Sequence, residues 1–210
     1  PQPRPRVPFP VDAAGSPNNV YGFSKWLMEC EHRRFAEGVA PGAKPPHIVG
    51  LRYFNVFGPG EGRKGKMASM VYQLALQMLD QKRPRIFADG SQARDQVYVD
   101  DVVDCTLAAA GLGTRKDPVP GVYNLGSGVT TSFNQIIAAI RKALDLSDRQ
   151  LPTDYFEMPA SIRAFYQDFT CADMSQTELG LGWRPRWKPE EAIAVYAGFL
   201  RQERAKTSPV

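Results

Sequence analysis

The sequence predicts an α/β fold on a mostly parallel sheet. Short apolar runs bounded by turn residues alternate with longer stretches of helical period, the pattern of successive strand–helix units. Of 210 residues, 43% are hydrophobic and 23% charged, the balance of a globular chain rather than a disordered or fibrous one. That length allows one domain, or one and a fraction.

The first ten residues, PQPRPRVPFP, interleave proline with arginine and apolar residues and cannot nucleate a helix. Residues 1–17 are therefore expected to form an extended or disordered lead-in, in which Pro5-Arg6-Val7-Pro8 carries the P-x-x-P spacing of polyproline ligands. Asn18-Asn19 cap a helix reaching Glu37, with Val20, Phe23, Leu27 and Cys30 on its apolar face. Gly38 and Pro41 stop it. Ile48-Val-Gly-Leu-Arg-Tyr-Phe54 reads as a buried strand. A glycine-rich loop over residues 58–65 leads into a helix over 67–79, followed by strands at 85–88 and 96–99. A helix then runs from Asp100 into the alanines at 108–110. Asp100-Asp101 resembles a paired carboxylate, but acids at a helix start are favoured by capping and by the helix dipole. Residues 122–125 read as a strand. Gly126-Ser-Gly128 either turns the chain or admits a phosphate at a helix N-terminus. Ser132 opens a helix with Phe133, Ile136, Ile137, Ile140 and Leu144 on one face. A less regular stretch (151–170) and a final helix (189–202) complete the chain.

Several function classes are excluded. The 26 Lys+Arg against 22 Asp+Glu leave a net charge of +4, but the basic residues are scattered. The densest cluster, Arg63-Lys64-Gly65-Lys66, is too small for the stripe that nucleic acid needs. No apolar run approaches the ~20 residues of a membrane helix. Cys30, Cys105 and Cys171 lie about 70 residues apart, and His32 and His47 cannot join them at zinc spacing, so no metal is expected. Sparse, odd thiols suit the cytoplasm.

Tyr21-Gly-Phe-Ser-Lys25 is the chemically suggestive segment. At i and i+4 on a helix the two side chains share a face, with β-carbons about 5–6 Å apart. The lysine charge favours the phenolate and so lowers the tyrosine pKa from its ordinary ~10. Such a pair suits proton removal from an alcohol whose carbon gives up hydride to an oxidised nicotinamide. An idle surface pair has the same spacing. Gly60-Glu-Gly62-Arg-Lys-Gly65 matches G-x-G-x-x-G formally. A dinucleotide fingerprint, however, follows its strand directly, whereas Asn55-Val-Phe-Gly-Pro59 intervenes here, so the segment reads as a substrate loop.

The runs Asn19-Val-Tyr-Gly-Phe-Ser-Lys25 and Leu51-Arg-Tyr-Phe-Asn-Val-Phe-Gly-Pro59 resemble the extended short-chain dehydrogenase/reductase superfamily of nucleotide-sugar enzymes. Three further runs, Glu61-Gly-Arg-Lys-Gly-Lys-Met-Ala-Ser69, Arg94-Asp-Gln-Val-Tyr-Val-Asp-Asp101 and Tyr123-Asn-Leu-Gly-Ser-Gly128, narrow the resemblance to its ADP-heptose 6-epimerases. The likeness covers residues 18–200. It implies a C-terminal part of a Rossmann-like parallel sheet plus a smaller mixed α/β substrate-binding domain. Residues 18–60 would belong to the nucleotide domain and 61–210 mainly to the substrate domain, with about 96–125 returning to the Rossmann sheet.

Carried over residue by residue, the resemblance makes Tyr21 and Lys64 the catalytic acid/base pair. Lys25, Val56 and Lys64 would touch NADP. Asn55, Lys66, Gln73, Phe87, Ala88, Asp89, Gly90, Ser91, Arg94 and Tyr166 would touch an ADP-sugar. Family members carry serine and histidine where Lys66 and Gln73 stand, and the segment 87–94 is one residue shorter here. The family also implies homo-oligomers. Its members open with a strand, a glycine-rich turn and a helix for the dinucleotide. Only 20 residues precede Tyr21, so the chain is expected to be the C-terminal two-thirds of such an enzyme, or a remnant that binds a nucleotide-sugar or a related subunit without turnover.

Overall fold

The computed structural model describes residues 6–13, 17, 19–38, 47–159 and 166–207. Among them lie seven strands: β1 (Val49–Tyr53), β2 (Asn55–Phe57), β3 (Arg85–Phe87), β4 (Ala93–Tyr98), β5 (Gly121–Leu125), β6 (Thr130–Ser132) and β7 (Asp154–Phe156). Six α-helices accompany them: α1 (Val20–Glu37), α2 (Met70–Leu79), α3 (Val99–Ala109), α4 (Phe133–Leu144), α5 (Ser175–Leu181) and α6 (Pro189–Thr207). The fold is mixed α/β, with parallel pairing in β1–β5, β2–β4 and β3–β7 and antiparallel pairing in β4–β6.

The helices begin where their caps dictate. Asn19 accepts the Gly22 N–H at the start of α1. Ser69 does the same for Tyr72 at the start of α2, so α2 begins three residues after the expected 67. Ser132 and Gln135 form a reciprocal capping box that opens α4. All five apolar residues expected on the inner face of α4 are buried.

Two cores result. One packs α2, α4 and α6 through Leu74, Met78, Ile136, Ile140, Ile193 and Tyr196. The other gathers Val97, Cys105, Leu125, Ala172, Leu181 and Trp183. Strand β4 serves both, because its alternate side chains point to opposite faces: Tyr98 joins the first core and Val97 the second.

Buried Asp95 ties β4 to two distant segments. Its carboxylate accepts the backbone N–H groups of Ser127 (2.7 Å), Gly128 (3.0 Å) and Ala172 (2.9 Å), and the Ser127 hydroxyl (2.8 Å). The 126–128 turn thus already holds an anion of the protein's own, which answers the phosphate alternative. Asp101 likewise accepts from the backbone of Arg186 and Trp187, both at 3.0 Å, and acts as a structural tie. Some of the expected lead-in lies on the body: Phe9 bridges Ala172, and its carbonyl accepts from Asn124. Pro5 and Pro41 fall outside the described residues.

The expected apolar face of α1 is uncovered. Val20, Phe23 and Leu27 are exposed, and Cys30 is half-buried. Helix period shows which side of a helix is apolar but not what covers it. Among the described residues no helix is long and apolar enough to cross a membrane, and no cluster of side chains could hold a metal ion.

Candidate active site

A cavity of ≈ 820 Å³ opens where α1, β2, β4, α2 and the 58–69 loop meet, within the range usual for small-molecule sites. Register builds one wall. In the parallel pair β2–β4, Asn55 stands opposite Gln96 and Phe57 opposite Tyr98. Phe57 and Tyr98 are buried, with ring centroids 5.5 Å apart. Asn55 and Gln96 line the cavity beyond them, as does Arg94, two residues back on the same face of β4.

Arg94 is buried at 8% exposure, donates to the Ala93 carbonyl at 3.1 Å, and lies 5.0 Å from the centroid of the Tyr166 ring. Burial pulls its guanidinium below its ordinary pKa while Tyr166 and Asp168 counteract. Burial also pushes the Tyr166 phenol up, against the neighbouring Arg94 charge. Arg94 makes no ion pair among the described residues, so a cation stands ready on the cavity wall. Phe87 packs edge-on against Tyr166 at 5.7 Å and closes that side.

The opposite side is the 58–69 loop. A 3-10 turn, Glu61–Met67, kinks at Gly65, whose φ of 55° and ψ of −125° break the helical path. Gly58 sits at φ 144°, where a Cβ would stand 2.5 Å from Val99 Cγ1, so only glycine fits. Buried Glu61 closes the loop on itself. It accepts the Gly58 N–H (3.2 Å), the Ser69 N–H (2.7 Å) and the Ser69 hydroxyl (2.9 Å), and it hydrogen-bonds the Tyr196 phenol of α6. From α2, Gln73 donates to the carbonyls of Ala68 (2.7 Å) and Lys66 (3.3 Å). Lys64 reaches the cavity from this loop.

Tyr21 lines the same cavity at its open edge, 73% exposed. Lys25 Nζ lies 5.3 Å from the centroid of the Tyr21 ring, the shared face that their spacing predicts. Glu29 and Arg52 bracket α1 against β1, with hydrogen bonds of 2.8 and 2.5 Å.

Eight expected site residues therefore meet at one cavity: Tyr21, Asn55, Val56, Lys64, Gln73, Phe87, Arg94 and Tyr166. Lys25 stands behind Tyr21, and Lys66 lies off the wall. Ala88, Asp89, Gly90 and Ser91 form the turn after β3, outside the lining. That turn is held elsewhere: Asn134 donates to the Asp89 carbonyl, and the Asp89 side chain accepts from Ser91. Other wall residues escape a sequence reading, namely Gln77, Arg85, Gln96, Phe133 and Phe156. For Gln96 a signal existed, since the two-residue period of a strand puts it on the face of Arg94. Arg85 and Phe156 come together only through the β3–β7 pairing of distant segments.

The NAD dependent epimerase/dehydratase family matches residues 3–126. The chain belongs to that family. Among curated relatives, the ADP-L-glycero-D-manno-heptose-6-epimerase of Pseudomonas paraeruginosa is 36% identical over 202 residues, covering 88% of this chain and 58% of the relative. The chain thus spans little more than half the length of the curated relatives it matches. Among solved structures, the Helicobacter pylori enzyme of the same name superposes with a TM-score of 0.76 at 33% identity, over 93% of this chain and 55% of that one. UDP-glucuronic acid 4-epimerase from Bacillus cereus, solved with UDP-glucuronic acid and NAD, gives a TM-score of 0.73 at 26% identity, over 94% and 57%.

Proposed function

We propose that this chain is the C-terminal portion of an epimerase that interconverts ADP-D-glycero- and ADP-L-glycero-manno-heptose at C6 with NADP. It would serve lipopolysaccharide core-sugar synthesis in the cytoplasm, as a homo-oligomer when full length. The observation that carries the reading is the convergence of Tyr21, from α1, and Lys64, from the 58–69 loop, on one cavity that also holds Asn55, Arg94 and Tyr166.

The side chains present suit the nicotinamide half of the cofactor. Lys25 offers an ammonium donor beside Tyr21, Val56 a half-buried apolar wall, and Lys64 a second cation. A bound nicotinamide would supply reversible hydride transfer at C6, so that oxidation to a ketone followed by re-reduction gives inversion with no net redox change. Tyr21 Oη would accept the proton of the C6 hydroxyl as the ketone forms, with the Lys25 ammonium beside its ring. Lys64 Nζ serves the hydroxyl of the other epimer, because inversion moves that group across the carbon. Arg94 pairs with the diphosphate through its planar fork.

Tyr21→Phe and Lys64→Met should each lower turnover of full-length enzyme by about 100-fold or more, the usual worth of a positioned acid or base. The check is C6 inversion of the ADP-heptose with NADP present, and wild-type rates in both variants would eliminate the pair. The exposure of Tyr21 favours a second reading, in which the chain binds a nucleotide-sugar without turnover. Retention of ADP-sugar with no retained NADP distinguishes that case.

A further inference from the structure

The cavity wall contains a polar group that the proposed reaction does not use. Gln96 is 3% exposed, lies on β4 two residues beyond Arg94, and stands in register with Asn55 on the neighbouring strand. Its Oε1 is buried without a hydrogen-bond partner, and its amide makes no side-chain hydrogen bond among the described residues. Buried polar side chains are nearly always paired, and desolvating one without a partner is costly. The rest of β4 follows that rule: Asp95 has four donors and Arg94 has the Ala93 carbonyl and Tyr166. Gln96 alone among these three lines the cavity with its hydrogen-bonding capacity unspent.

We infer that Gln96 is a substrate-binding residue whose side-chain amide hydrogen-bonds a hydroxyl of the sugar carried by the nucleotide, beside Asn55. The assignment rests on the proposed nucleotide-sugar reading. Its location explains the division of labour along one strand face. The Arg94 cation meets the charged diphosphate, and the uncharged Gln96 amide, a single strand-repeat further in, meets the polyhydroxylated sugar. A carboxylate there would repel the diphosphate, and an apolar residue would leave a sugar hydroxyl unpaired, so an amide suits the place.

The test compares ADP with ADP-glucose as probes, by titration calorimetry on the full chain and its Gln96→Leu variant, with thermal unfolding of both. Leucine is close to glutamine in size and removes the orphaned oxygen. The unfolding midpoint should therefore stay the same or rise, whereas a structural glutamine would lower it. ADP-glucose should bind the variant about tenfold more weakly, the loss of one hydrogen bond to ligand, while ADP binds both proteins equally. If the wild-type chain binds neither probe, the nucleotide-sugar reading falls and the assignment with it. If it binds both and Gln96→Leu leaves the difference between them intact, or lowers the midpoint, the assignment of Gln96 alone falls. Gln96→Glu serves as a second variant that keeps the volume. It should weaken both probes through its charge, and unchanged binding there also overturns the proposal.

Discussion

Glu29 accepts hydrogen bonds from Arg33 at 2.7 Å and from Arg52 at 2.5 and 2.8 Å, and Arg52 reaches on to the Val11 carbonyl at 2.7 Å. Tyr21 rides on the helix that this bracket holds. Burial alone would raise the Glu29 pKa, but the two guanidinium groups outweigh it and hold the carboxyl below its ordinary 4.5. A depressed acid contributes its stability above the unfolded-state pKa and loses it as pH falls through the folded-state value. Glu29→Gln should therefore cost about 1–3 kcal/mol at neutral pH, and the gap to wild type should close as the pH drops below 4.5. Thermal melts followed by circular dichroism across that range check this; a gap that persists in acid would contradict it. The Tyr21–Lys25 pair was legible in the sequence because both residues sit on one helix. The Glu29–Arg52 bracket was not, because 23 residues separate its halves and nothing local announces which arginine returns.

The 58–69 loop shows what a single carboxylate does for an element. Its three positive-φ glycines, Gly58, Gly60 and Gly65, suggest a flexible arch, yet Glu61 draws both ends together and ties them to Tyr196. Glutamine at 61 has only one acceptor oxygen, so its amide NH₂ must confront the backbone N–H of either Gly58 or Ser69. Glu61→Gln should speed tryptic cleavage after Arg63, Lys64 and Lys66 about tenfold, as expected for losing a hydrogen bond to a charged group. Peptide mapping shows whether the acceleration stays within the loop, and equal cleavage rates would refute the clip. At this scale the sequence was readable where local rules are strong. α4 carries a capping box and five apolar positions at helical spacing. It was silent on β2 and β6, three residues each and too short to display a two-residue alternation. It was silent also on α5, whose Thr177 and Gly180 carry little apolar signal.

At the scale of the molecule, α1 leaves a broad apolar surface bare: Phe23 is 49% exposed, Trp26 41%, Leu27 47% and Met28 67%. A second cavity of ≈ 380 Å³, lined by Val49, Leu51, Tyr53 and Ala109 among others, lies on β1 nearby. Contiguous apolar surface of this kind binds apolar partners in water. The chain should enhance the fluorescence of anilinonaphthalene sulfonate while native, and Phe23→Glu with Leu27→Glu should remove much of that signal; undiminished dye binding would contradict the assignment. The fold class was readable from alternation alone. The division of the strands into separate small sheets was not, because pairing partners such as β3 and β7 lie 69 residues apart.

The Asp95 carboxylate has a temporal consequence. Its donors lie 32, 33 and 77 residues further along the chain, so during synthesis the acid emerges long before the last group that neutralises its burial. Until residue 172 leaves the ribosome, β4 must remain wet. Premature collapse around it would enclose a raw charge, and the final knot can be tied only once most of the protein exists.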